Sequence, residues 1–238
     1  MALRIFTNLS SLNSQRAMSI NNARLGSALE RIATGIRLQR SGDDIAAMSV
    51  SESLRGDVTA LKQGAKNLND GISMIQMADG ALNEQSSILI RLREITTQSA
   101  TGTIGDTERA TLQLEFSALR SEFDRIANTT EFNSRKLLDG SLAASSSDTT
   151  VLQLGIDSSD NNRFNLNQKI NLTTTTSSAL GFSTDNIGTD AGAVTAMANL
   201  ISAIDKLAAI RGRVGAAQET LDYAKGALGS SVENLTGA

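Results

Sequence analysis

The sequence predicts a mainly α protein: a long antiparallel coiled-coil-like helical rod carrying a small β-hairpin insert. Two observations carry this. The 238 residues contain no proline, the strongest helix breaker, where average usage would supply roughly a dozen. Three stretches also place apolar residues at alternating four- and three-residue steps, the signature of helices that bury one seam. With 40% hydrophobic and 20% charged residues, the chain has enough apolar surface for a core and is no disordered tail.

The first seam runs Leu54, Val58, Leu61, Ala65, Leu68, Ile72, Ile75, Asp79, Leu82, Ser86, Leu89. Its polar positions weaken it locally and help fix register. The helix is expected to start just after Gly42, with Asp43 or Asp44 near the cap, and to run to about Ala100 before Thr101-Gly102. Each buried Leu contributes roughly 1.5–3 kcal/mol, so the seam outweighs the poor helix propensity of Gly64, Gly71 and Gly80.

A second seam, Leu112, Phe116, Leu119, Phe123, Ile126, predicts a shorter helix over residues 106–128, closed by Asn128-Thr129-Thr130. The third runs Leu200, Ile204, Leu207, Ile210, Val214, Ala217, Leu221, Ala224, Leu228, Val232, Leu235, with a three-three step at Leu207 that would locally overwind a coiled coil. Between them, residues 140–192 turn rich in Ser, Thr, Asn, Asp and Gly, with apolar patches at Val151–Leu154 and Phe164–Leu166. They read as a hairpin or two with loops, a surface elaboration on the rod. The expected organisation is an N-terminal helical segment over residues 1–42, a rod core over 43–139 and 193–238, and an outward-facing insert over 140–192. Leu54, Leu61, Leu68, Ile72, Phe116, Phe123, Leu221 and Leu228 are expected in the rod core.

Composition argues against most chemistry. Without His or Cys, the commonest general base, the thiol nucleophile and the nitrogen and sulfur metal ligands are missing. No Gly-x-Ser-x-Gly elbow, phosphate-binding glycine loop or zinc motif occurs, so no enzyme and no cofactor is expected. Asp43 and Asp44 are explained by capping at a helix start and do not call for a metal. No run of eighteen apolar residues and no signal-peptide h-region is present, so membrane insertion is not expected.

The net charge of −3 is unevenly spread: residues 1–42 hold Arg4, Arg16, Arg24, Arg31, Arg37 and Arg40 against Glu30 alone. Such a stretch also resembles a mitochondrial transit peptide. Its arginines are spaced along a helix without interleaved aromatics, which favours partner carboxylates over nucleic acid. Its apolar residues Leu9, Leu12, Leu25, Leu29, Ile32 and Ile36 are expected to form a subunit-packing stripe.

Several blocks then carry a family resemblance. Asn8-Leu9-Ser10-Ser11-Leu12 with Gln15, Leu29-Glu30-Arg31-Ile32-Ala33-Thr34-Gly35-Ile36-Arg37 and Asp43-Asp44 resemble bacterial flagellin. So do Asn67-Leu68-Asn69-Asp70-Gly71-Ile72-Ser73, Ala78-Asp79-Gly80-Ala81-Leu82, Glu131-Phe132-Asn133 with Lys136-Leu137-Leu138, and Arg213-Val214-Gly215-Ala216.

The resemblance covers about residues 1–140 and 194–238. It implies a secreted structural subunit of the extracellular bacterial flagellum, a self-assembling helical homopolymer that serves motility. It implies as partners the flagellar type III export apparatus, a secretion chaperone, and the filament cap and hook-junction proteins. The alternatives are a hook–filament junction protein and a non-flagellar coiled-coil adaptor.

Flagellins pair the N-terminal helix with one from the extreme C-terminus. The sequence ends at Leu235-Thr236-Gly237-Ala238 where the family continues, so it reads as truncated. The resemblance further implies contact with the flagellin-sensing Toll-like receptor through Arg91, Glu94 and Glu115, although Ile90 stands where the family usually has Gln.

Overall fold

The computed structural model describes residues 8–38, 42 and 44–237. Asp43, Arg4 and Arg40, singled out above, lie outside them. The chain divides into two compact units, residues 1–56 and 57–238.

In the first unit, α1 spans Leu9–Thr34. The side chain of Asn8 accepts from the Ser11 amide at 3.2 Å, satisfying one of the free N–H groups of the first turn. Gly35 ends the helix at φ 69, the left-handed conformation that glycine adopts without strain, and its N–H bonds the Arg31 carbonyl. No residue of α1 is buried. The next helix, α2, spans Ile45–Ser99, and Asp44 caps it by accepting from the Ala47 amide at 3.0 Å, in the expected role. Leu54 departs from expectation. It is only partly buried, and the buried residues of α2 begin at Leu61.

In the second unit, α2 turns at residues 100–105 into α3, Asp106–Thr129. Arg109 pins that turn from a nearly buried position: its guanidinium donates to the carbonyls of Ser99 at 2.9 Å and Thr101 at 3.0 Å, which the end of α2 leaves without helical partners. Contacts of Arg109 with Ser99 and of Arg91 with Glu115 make α2 and α3 antiparallel. The last helix, α6, spans Asp190–Gly237. Ser99 bonds the Ile187 carbonyl just before it, and Arg211 lies 3.6 Å from Asp79, so α6 runs antiparallel to α2.

The buried seams differ from the apolar spacing of the sequence at three positions of α2 and one of α6. In α2 the buried residues are Leu61, Gly64, Leu68, Gly71, Ile75, Ala78, Leu82, Gln85, Leu89, Leu92, Thr96 and Ser99, an unbroken heptad run joined by Ile72, Met74 and Ile95. Gly64, Ala78 and Gln85 thus take the places expected for Ala65, Asp79 and Ser86, while Ile72 is buried as expected with Gly71 beside it.

In α6 the run is Ala193, Ala196, Leu200, Ala203, Leu207, Ile210, Val214, Ala217, Leu221. Ala203 replaces Ile204, the three-three step vanishes, and nothing is overwound. At Gly64 and Gly71 the reason is steric: reading by hydrophobicity selects the larger of two neighbouring side chains, whereas close approach requires the smaller at the point of contact. A Cβ on Gly64 would run into the backbone carbonyl of Leu154, and one on Gly71 into the Leu152 side chain. By composition α6 is long and apolar enough to cross a membrane, yet its heptad run lies in this core.

The insert is folded into the core rather than laid on its surface. After a two-residue turn with positive φ at Asn133 and Ser134, β1 (Glu131–Phe132) pairs with β2 (Arg135–Lys136). Strands β3 (Val151–Gln153) and β4 (Arg163–Asn165) form a second antiparallel pair with Leu152 opposite Phe164. Short helices α4 (Leu166–Ile170) and α5 (Ser177–Leu180) follow.

Leu142, Phe164, Leu166, Ile170, Leu172, Leu180, Phe182 and Ile187 are buried in the same cluster as the helix seams, and Phe182 meets Phe123 edge to face at 5.2 Å. Buried Asn167 explains how so polar a segment folds. Its amide donates to the carbonyls of Ser141, Ala143 and Asp148 and accepts from the Thr150 amide, replacing the hydrogen bonds those backbone groups would lose to burial.

Candidate functional site

Among the described residues no three carboxylates gather into a metal-binding cluster, and the candidate surfaces are helix faces that carry chemistry without being used in the core. α1 is the first. Its large apolar residues Leu9, Leu12, Met18, Ile20, Leu25, Leu29 and Ile32 are all exposed, Ile32 by 79%, and Ile36 just beyond is exposed as well.

They do not form the single stripe expected of them. At ~100° per residue, Met18, Leu25, Leu29 and Ile32 share one face while Leu9, Leu12 and Ile20 fall near the opposite one. The step of thirteen positions from Leu12 to Leu25 is not a whole number of turns, so a set that looks continuous in sequence splits in space. A helix of this kind has apolar surface to bury on both sides.

The second surface joins α2 and α3. Arg91 stands one residue before buried Leu92, and Glu115 one residue before buried Phe116; both therefore face solvent. The Arg91 guanidinium donates to Glu115 through Nε at 3.1 Å and Nη2 at 2.8 Å, and to Glu94 through Nη1 at 3.0 Å. These bonds, Glu115 first and Glu94 second, raise the Arg91 pKa above its ordinary value. The seam continues from Leu89 to Leu92 rather than to Arg93, which is exposed. The structure thus brings Arg91, Glu94 and Glu115 together as one fork of charge on two helices.

Of the residues singled out for the rod core, Leu61, Leu68, Phe116, Phe123 and Leu221 are buried, Ile72 is 8% exposed, and Leu228 is partly buried against the cluster. Sequence reasoning missed the residues that hold the surfaces in place. Fully buried Gln85 donates its amide to the carbonyls of Phe123 and Thr175, tying α2 to α3 and to the insert. The only available signal was its place one heptad beyond Ala78. In the turn after β3, Asp157 accepts from the Ser159 amide and hydroxyl and from Asn162, and these bonds, with Ser159 first, hold its pKa below the ordinary aspartate value.

Comparison with known proteins identifies the arrangement. Residues 5–143 match the family model described as bacterial flagellin N-terminal helical region. A flagellin of Bacillus subtilis is 34% identical over 99% of this chain and 85% of its own length. A flagellar filament 30.7 kDa core protein of Treponema maltophilum is 34% identical over 97% and 82%. A flagellin of Clostridium tyrobutyricum reaches 47% identity over 56% of this chain, which spans 36% of that protein.

Among solved structures, Bacillus cereus flagellin superposes with a TM-score of 0.58 at 29% identity, over 68% of this chain and 88% of that one. A putative flagellar hook-associated protein of Vibrio parahaemolyticus gives a TM-score of 0.65 over 83% of this chain and 99% of that one, but at 14% identity it shows the fold alone and does not favour the junction alternative. The helical ends, the small hairpins between them and these matches place the chain in the bacterial flagellin family, structural rather than enzymatic subunits of the flagellar filament.

Proposed function

We propose that the protein is exported through the flagellar type III apparatus, escorted by a secretion chaperone, and polymerises beneath the filament cap and beyond the hook-junction proteins by burying α1 among neighbouring subunits. The observation that carries this reading is that α1 buries no residue while exposing large apolar side chains on both faces. Exposed apolar area of this kind contributes roughly 25 cal/mol per Å² once covered, a strong drive to assemble.

The test is to introduce Leu29→Lys with Ile32→Lys at the gene's own locus and to examine cells by electron microscopy. Loss of filaments, with the protein recovered from the medium as monomer, is the expected result. Filaments of ordinary length and abundance would overturn the reading.

A second reading is supported by the Arg91 fork. An exposed, preorganised Arg with two carboxylates fits an interface anchor, and the free subunit is recognised there by the flagellin-sensing Toll-like receptor.

A further inference from the structure

One concave site is absorbed by none of these readings. Residues 173–174, α5 and α6 border an open cavity of about 370 Å³ whose lining includes Thr173, Thr174, Leu180, Lys206, Ile210 and Arg213. Leu180 and Ile210 give it an apolar floor, and its rim carries two cations one heptad apart on α6, roughly 10 Å along the axis.

Both cations are held by main-chain carbonyls. The Lys206 ammonium donates to Leu180 at 3.0 Å, and Arg213 donates to Ile170 and Asn171, each at 3.1 Å. The ammonium keeps two N–H donors beyond these bonds and the guanidinium three. Among the described residues, no carboxylate lies within ion-pair distance of either. Two oriented cations above an apolar floor fit a side chain that brings methylenes and an oxyanion together, as glutamate does.

We infer that this cavity is a socket for a carboxylate side chain of a second copy of this chain, supplied by the row Glu108, Glu115 and Glu122 on α3. Among the described helices, α3 alone repeats carboxylates at consecutive heptads, the spacing of Lys206 and Arg213. Glu115 pairs with Arg91 and Glu122 with Arg125, while Glu108 has no cationic partner among the described residues. Socket and row are different surfaces, so the contact is heterologous. Each copy added leaves one of each unused, which is how an open helical polymer propagates.

The inference rests on the filament reading, and its test is a charge swap made at the gene's own locus. Lys206→Glu and Glu108→Lys should each lower the dissociation temperature of filaments recovered from cells and raise the critical concentration about three- to tenfold, and the double variant should recover most of the loss. Lys206→Gln should fall between wild type and Lys206→Glu. Arg213 stays unchanged because it also holds the end of α4.

On the free subunit, glutarate serves as probe. It should shift the amide resonances of Thr173, Thr174 and Ile210 in the wild type and not in Lys206→Glu. Single variants with unchanged filaments, or a double variant no better than the sum of its parts, would overturn the inference. If glutarate binds while the swap restores nothing, the cavity takes a free carboxylate and the second-copy assignment fails. Cells whose filaments lack the protein altogether would remove both this inference and the filament reading; indifferent swaps in filaments that contain it remove only this one.

Discussion

The glycines of α2 divide sharply by what surrounds them. Gly64 faces the Leu154 carbonyl and Gly71 the Leu152 side chain, while nothing lies within 4 Å of a Cβ at Gly80. Gly64→Ala should therefore destabilise the second unit by roughly 1–3 kcal/mol, because a backbone atom must move. Gly80→Ala should stabilise it by about 0.5–1 kcal/mol through helix propensity. Thermal melting of the two variants checks the sign of each.

Asp157 gives a pH prediction at the same scale. Its folded pKa lies below its unfolded one, so its contribution to stability is complete above the ordinary aspartate range and is lost as pH falls through the lowered value. The Ser159 amide shift, followed by NMR, should titrate below that range, and Asn162→Ala should move the midpoint up. A midpoint at the ordinary value would show the turn does not hold the carboxylate. At the Arg91 fork, Arg91→Ala should weaken binding of the free subunit to the receptor about tenfold with helix content unchanged. Equal signalling by wild type and the Arg91→Ala, Glu115→Ala double variant at matched folding would leave these charges as solvated surface.

At the scale of elements, α2 and α6 bury continuous heptad runs, and Leu68 and Leu221 are fully buried in them. Truncating either to Ala should cost roughly 2–5 kcal/mol, lost transfer energy plus the cavity left behind. Replacing exposed Lys62 should cost far less. Chemical denaturation measures all three, and an unchanged midpoint for either Leu variant would contradict the shared core. The insert depends on polar elements instead. Asn167 holds residues 141–150 through four backbone groups. Asp124 on α3 holds the start of α5 by accepting from the Ser177 amide and hydroxyl.

Across the whole molecule the two units differ in kind. Residues 57–238 carry the buried cluster, while no described residue of the first unit is buried. A helix without tertiary packing is marginal in water even at 26 residues, particularly with Ser and Asn spread through it. Amide hydrogen exchange of the free subunit should therefore be fast throughout α1 and slow along the seams of α2 and α6, and α1 should become protected in filaments. Slow exchange of α1 in the free subunit would show that it is stable by itself.

The sequence by itself determined where the long helices lie, because an absence of proline and a seven-residue apolar repeat leave few other ways to bury so much Leu and Ile. That Arg91 and Glu115 face solvent was legible only in part, because the seam was expected to pass from Leu89 to Arg93 and the structure passes it through Leu92. Tertiary structure alone decided which of two neighbouring residues enters the seam. At Gly64 that choice follows from the closeness of the Leu154 backbone, which hydrophobicity does not encode. It likewise decided that the Ser- and Thr-rich insert joins the core, because the hydrogen bonds that make its burial tolerable, those of Gln85, Asp124 and Asn167, come from residues whose partners lie far away in the chain.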